Sequence, residues 1–501
     1  MSLRKTLVLA LFVVAVGLFI FYKEIPREEA KRTEDLIFGT IKRNDVTTIE
    51  VKGPKGTFAM KRALAGTDKD DVGKWELTDP AGKPIEKAPV STVLTGLTEL
   101  KRVFTIPAED LEADLDVYGL KDPANRATVQ VKDKSVELLF GKLNDYKHQR
   151  YMQVAGTKDV FLTTNNLFTA LDKAKTDFRD KSPIDFVDAD LQAIELKTVD
   201  RVTRIENKGD TNWQITQPIT ATASSTASAD IARALRNLLA TRFFDTAGND
   251  PEVKENASHD FGLAKPDAVI ELKFKESHNP PTLTVSLVKV SADAKKLAGD
   301  DSEAYFQISG DTTIYGLKGD PTTAFVKPTE EYREKQLNRF ATDTVTKATL
   351  TFGDKTLAIE KVIDPNEKDK YAPAKWTVNG KPGDADFIQQ LFDDLSNSTA
   401  EKFPDPASIA TYGFDKPTLT AVVILKGTKE GIPDIEQKLV IGNTVTESDK
   451  KLYYAQVNDK PEPFLISETT FNKLTPAEEK LLPVKAEEVP AMPEENAAVP
   501  E

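Results

Sequence analysis

Three stretches of the chain alternate apolar and polar positions with period two. They are "TTIEVKG" with Ile49 and Val51, "AIELKTV" with Ile194 and Leu196, and "KATLTFG" with Ala348, Leu350 and Phe352. Successive strand side chains point to opposite faces, so the pattern predicts strands of sheets with one apolar and one wet face. Each stretch is followed by a tryptophan strand ending at a proline: "KWELTDP" (Trp75, Pro80), "NWQITQP" (Trp213, Pro218) and "KWTVNGKP" (Trp376, Pro382). Then the period changes. Val90, Val93, Leu94, Leu97 and Leu100 recur at helical spacing, as do Ile231, Leu235, Leu238 and Leu239, and Phe387, Ile388, Leu391, Phe392 and Leu395. These predict one amphipathic helix each, with Ser228 and Asp384 as N-caps of the second and third.

A glycine phrase comes next in every case: "DVYGLKDP", "HDFGLAKP" and "ATYGFDKP". Gly119, Gly262 and Gly413 can take positive φ and turn the chain, and Pro123, Pro266 and Pro417 then hold it extended into a strand. Behind the phrase lie strands "ATVQVK", "AVIELKFK" and "LTAVVILK". A tyrosine strand follows, with Tyr151 and Gln153, Tyr305 and Gln307, or Tyr454 and Gln456. Even the joints match, "FRDKSPIDF" from 178 and "YREKQLNRF" from 332. Repeated landmarks in fixed order predict three related α+β units, 25–178, 179–331 and 332–480. Each would be a mostly antiparallel sheet of about six strands covered by one or two helices. Insertions such as "KESHNPP" and "GTKEGIPD" fall where loops belong.

The first 24 residues have a different pattern. Arg4 and Lys5 precede an uncharged run from Thr6 to Tyr22, about 25 Å long as a helix and slightly short of a hydrocarbon core. Snorkelling by Arg4, Lys5 and Lys23 and an interfacial Tyr22 make up the difference, so residues 1–24 are expected to anchor the chain in a bilayer through Leu7 to Tyr22. A cleaved signal peptide is the competing reading. Ala15-Val16-Gly17 has the small-x-small form, yet Leu18 to Phe21 remain apolar beyond it, which favours an uncleaved anchor. With a short anchor and a long following chain, the amino terminus is expected in the cytoplasm and the bulk outside it. At the other end, 481–501 are Pro/Glu-rich and expected to be disordered.

Composition narrows the chemistry. A formal net charge of −13 opposes general affinity for nucleic acid, and the absence of cysteine removes disulfides, thiolate nucleophiles, thiolate metal ligands and a lipidated cysteine. His148, His259 and His278 match no metal-site spacing, and no G-x-S-x-G, P-loop or G-x-G-x-x-G follows a strand. Asp68, Asp70 and Asp71 lack the glycine and closing glutamate of a calcium loop, so a solvated turn is expected there. No catalytic residue, cofactor or metal is therefore expected. Trp75, Trp213 and Trp376, the only tryptophans, are weak candidates for stacking on a sugar, but their fixed register favours core packing. An envelope polysaccharide- or peptidoglycan-binding protein, or a hydrolase, is the alternative function that those rings and the abundant carboxylates suggest.

The anchor, the W-x-[LIV]-x-x-P strand, the [YF]-G-[LF]-x-x-P turn and the Y-x-Q-[VI] strand together resemble the bacterial domain-of-unknown-function family 4340. The likeness extends over nearly all of 1–480 and rests on Trp75, Gly119, Pro123, Trp213, Gly262, Pro266, Trp376, Gly413 and Pro417. Proteins of that family are typically membrane-anchored, resemble accessory components of ABC-2 type exporters, including the gliding-motility type, and have no assigned catalytic residues. The resemblance thus implies a non-enzymatic, single-pass protein of the bacterial inner membrane whose partner is an export permease.

Overall fold

The computed structural model describes residues 35–483, except 68–70, 113, 145–147, 210–211, 249–250, 337, 363–373, 428–432, 459 and 461. The expected anchor and nearly all of the expected tail lie outside the described residues. Among the described residues, no helix is long and apolar enough to cross a membrane.

Strands are numbered in chain order. The first sheet runs edge to edge as β4 (Ala81–Pro84), β3 (Lys74–Thr78), β2 (Gly56–Leu64), β1 (Val46–Gly53), β6 (Asn125–Val131), β7 (Lys134–Asn144), β8 (Gln149–Val154), β9 (Val160–Thr164) and β5 (Phe104–Ile106). Two antiparallel meanders meet where β1 pairs with β6, and β5 returns to the far edge beside β9. In the second sheet the same order is β13 (Ala221–Thr222), β12 (Trp213–Gln217), β11 (Val202–Asn207), β10 (Leu191–Thr198), β15 (Ala268–Phe274), β16 (Thr282–Lys289), β17 (Ala304–Ile308), β18 (Thr313–Leu317) and β14 (Ala240–Asp245). The third is β22 (Lys381–Pro382), β21 (Trp376–Val378), β20 (Lys355–Lys361), β19 (Val345–Phe352), β23 (Leu419–Leu425), β24 (Ile435–Glu447), β25 (Lys450–Val457) and β26 (Phe464–Ser467). There the returning edge strand shrinks to one bridge, Lys402 to Leu465. The fold is α+β, with three sheets of one topology.

By compactness the chain divides into two units. One draws on 1–191, 196–200 and 231–326, the other on 192–195, 201–230 and 327–501. The first contains the whole first sheet and β14–β18. The second contains β11–β13 and the whole third sheet.

The alternating strands form where the pattern places them, with Ile49, Ile194, Ala348 and Leu350 wholly buried. Helices α1 (Lys87–Thr98), α3 (Ala227–Arg236) and α5 (Ala385–Ser396) follow the first meander of each sheet, with α2 (Asn166–Leu171) and α4 (Pro251–Ser258) between them in the chain. Helix α1 buries Val90, Val93, Leu94 and Leu97, at about 1.5–3 kcal/mol for each fully buried side chain. Asp384 caps α5 as expected, accepting from the N–H groups of Asp386 and Phe387.

Several expectations are corrected. Ser228 is not a cap, because α3 starts one residue earlier and Asp230 N–H already bonds Thr226 C=O. Phe387 is 51% exposed, since Ile388, Leu391, Phe392 and Leu395 complete the buried stripe and leave it to one side. Leu239 is exposed in the link to β14. The sheets have nine, nine and eight strands instead of about six; the additional ones are edge strands such as β4, β13 and β22, which are too short to alternate, and the internal strands β2, β11 and β20, which the landmark pattern passed over. Nor is the second face of the first sheet wholly wet. Leu138, Phe140 and Met152 join the main core with α1, whereas Leu139 and Tyr151 on the opposite face pack with Tyr118, Leu120 and Val160.

Candidate functional site

The glycine phrase builds that second face. After the far-edge strand, the chain crosses the sheet and re-enters it at the centre, two residues past Pro123, Pro266 or Pro417, where β6, β15 and β23 begin. Gly119, Gly262 and Gly413 have φ of 69°, 77° and 78°, the left-handed region that a side chain penalises. The aromatic before each glycine meets the landmark tyrosine of the next meander. Tyr118 lies edge-on to Tyr151 at 5.1 Å, Phe261 edge-on to Tyr305 at 5.0 Å, and Tyr412 is stacked on Tyr454 at 4.0 Å. The glutamine two residues after that tyrosine closes the following turn in all three: the Nε2 groups of Gln153, Gln307 and Gln456 donate to the carbonyls of Thr157, Asp311 and Lys460. Two landmarks far apart in sequence are thus halves of one contact.

The tryptophans are core residues. Trp75, Trp213 and Trp376 are 3%, 9% and 6% exposed. Trp75 Nε1 donates to Val72 C=O at 2.9 Å, and Trp376 lies edge-on to Phe392 of α5 at 5.1 Å. Burial of both ring faces leaves no platform for a sugar.

What the sequence did not disclose is the work of the joints. In "FRDKSPIDF", Phe178 is fully buried in the first core, 5.3 Å from the Phe58 ring, while Arg179 enters the second sheet. There its Nη1 donates to both oxygens of Asp245 (3.0 and 2.7 Å), its Nη2 donates to Thr313 Oγ1 (3.1 Å), and it lies 4.3 Å over the Phe243 ring. Thr313 Oγ1 in turn donates to Asp245. Beside this group Asp311 accepts from Lys83 of β4, from Tyr315 Oη and from Thr313 N–H. Burial works to raise the Asp311 carboxyl, but those three bonds hold it below the ordinary carboxylate range. Burial, then the Asp311 bond, pushes the Tyr315 phenol far up.

The second joint repeats three backbone bonds of the first. Glu86 N–H to Phe178 C=O, Asp180 N–H to Pro84 C=O and Ala240 N–H to Lys181 C=O correspond to Ser224 to Tyr332, Glu334 to Thr222 and Ala400 to Lys335. Arg333 is likewise buried, 3.6 Å over the Phe403 ring and 3.7 Å from Glu462. Burial lowers its pKa from the usual arginine value. In the third sheet Asp384 N–H bonds Leu481 C=O in the same way, but the next residue is Leu482, which packs against its own core. The recurring F-R and Y-R pairs were the available signal; nothing in a linear pattern says that the arginine points forward.

Around Arg179 the charged and hydroxyl groups bond one another, whereas Arg333 and Glu462 make only the 3.7 Å ion pair. Among the described residues, no group of three or more His, Asp and Glu is placed to hold a metal. His259 lies against Phe261 at 4.6 Å, and His278 Nδ1 is 3.5 Å from Asp190. Fold and joints define a protein of three related α+β sheets whose recurrent side chains maintain the architecture. Residues 75–258 match the family model described as Domain of unknown function (DUF4340), and over that stretch the chain resembles the family. The match starts at the first tryptophan and stops just short of the second glycine phrase. No curated protein matches the chain.

Proposed function

We propose that the chain is a non-enzymatic scaffold or accessory protein of the bacterial envelope. Residues 1–24 anchor it in the inner membrane, its amino terminus is cytoplasmic, and its sheets stand outside the cytoplasm beside an ABC-2 type export permease. The observation that supports this reading is the pair of matching joints: Arg179 and Arg333 are 2% and 6% exposed, so the most conspicuous repeated polar groups connect sheets and are closed to solvent. The permease comes from the family resemblance, and the anchor from the apolar run Thr6 to Tyr22.

Affinity capture of the full-length protein from solubilised membranes tests it. Recovery of an export permease or its ATPase subunit is expected. Recovery of the protein from the soluble fraction alone, or of no inner-membrane partner, would overturn the proposal.

A further inference from the structure

The three glycine phrases are not seated alike. In the first and third sheets the strand beneath the phrase carries a glycine, Gly141 or Gly442, and a Cβ there would overlap the carbonyl oxygen of Tyr118 or Tyr412. Backbone lies directly on backbone, and Asn443 N–H bonds Tyr412 C=O at 2.7 Å. Register identifies the same position in the second sheet. Asn125 pairs with Phe140, Leu419 with Ile441 and Ala268 with Leu287, so the next residues correspond: Gly141, Gly442 and Val288. With a valine there the phrase is held off the strand, and a Cβ built on Gly262 would meet only the Val288 side chain, Cγ2 at 3.3 Å and Cγ1 at 4.0 Å.

A second departure occurs at the same place. Residues 290–303 join β16 to β17, where Ser448 and Asp449 alone join β24 to β25. The long connection is held by its own bonds: Tyr305 Oη and Ser302 N–H donate to Asp300, and Lys296 donates to Ser302 C=O. Between it and the phrase lies a cleft of about 800 Å³. Val288, Val290, Ala264 and Ala294 give it an apolar lining, while Lys265 projects from the phrase and Lys295 from the connection. Neither lysine has an ion-pair partner among the described residues, in a chain of net charge −13. Asp260, the acid on the cleft wall, already accepts from Gly262 N–H at 2.8 Å.

We infer that this cleft binds a small organic anion, a carboxylate or phosphate monoester on an apolar body, with the anionic group between Lys265 and Lys295 and the body on Val288 and Val290. The inference is independent of the envelope reading, because it rests on one sheet's departure from its two relatives. Two lysines without ion-pair partners lining one cleft favour an anion, and an apolar lining rewards a non-polar remainder.

Isothermal titration of the full-length protein with phenyl phosphate, benzoate, inorganic phosphate and benzyl alcohol tests it. Saturable binding of phenyl phosphate or benzoate is expected, tighter than that of inorganic phosphate or benzyl alcohol. The double variant Lys265→Glu/Lys295→Glu should weaken it about tenfold, the scale of two partly exposed charge contacts. Ala264→Trp, which fills the cleft without altering charge, should abolish it, with an unchanged Tm verifying the fold of both variants. No saturable binding of either aromatic anion, or binding indifferent to the lysine reversals, overturns the inference.

Discussion

At the scale of single residues, the glycine phrases are seated where the chain has room for hydrogen and nothing larger. Gly119 combines a left-handed φ of 69° with close neighbours: a Cβ there would lie 2.6 Å from Lys142 Cγ and 2.8 Å from its backbone nitrogen. Gly119→Val therefore forces both strain and displacement. A loss of roughly 1–3 kcal/mol is expected from the strained backbone alone, read as a lower midpoint in urea; an unchanged midpoint contradicts the seat described here. The same residues mark how much was legible. Glycine, proline and aromatic at fixed spacing announced a turn, and the turn is there. That its aromatic contacts Tyr151, Tyr305 or Tyr454 could not be read, because the partners are brought together by a chain crossing the sheet face.

At the scale of elements, periodicity disclosed what carries periodicity. Eight-residue strands such as β1 and β19, and the twelve-residue helices α1 and α5, have enough turns or alternations to register. Two-residue strands such as β13 and β22 exist because a neighbour pairs with them, and no local pattern foretells that. The joint between the first and second sheets also has a pH signature. Asp311 titrates below its ordinary range in the folded protein, so its contribution is present above the unfolded carboxylate value near 4 and is lost as pH falls through the lower folded value. Thermal midpoints measured from pH 7 down to pH 3 should fall more steeply for the natural protein than for Asp311→Asn; parallel curves would mean that the bonds from Lys83, Tyr315 and Thr313 do not stabilise the charged form.

At the scale of the molecule, the candidate site was less legible than the fold. The sequence offered Trp75, Trp213 and Trp376, and all three are core. It passed over Arg179 and Arg333, whose importance lies in what they reach. It also held the Val288 exception in plain view, since "FGK" and "IGN" stand where the second unit has "LVK", but only strand register makes the three positions equivalent. Threefold repetition thus reports construction, and departures from it are the places to look for function.

If the repeated arginine joins neighbouring sheets into cooperative structure, hydrogen exchange of Arg179→Ala will register its loss on both of them. Removing the guanidinium strands the Asp245 carboxylate in a buried place, a loss on the order of 3–5 kcal/mol, and the amides it should release lie on both sides of the joint. The expected result is faster exchange at Glu86 and Asp180, whose N–H groups bond Phe178 and Pro84, together with Ala240 and strands β14 and β18. Acceleration confined to β14, with Glu86 and Asp180 as protected as before, would contradict the claim.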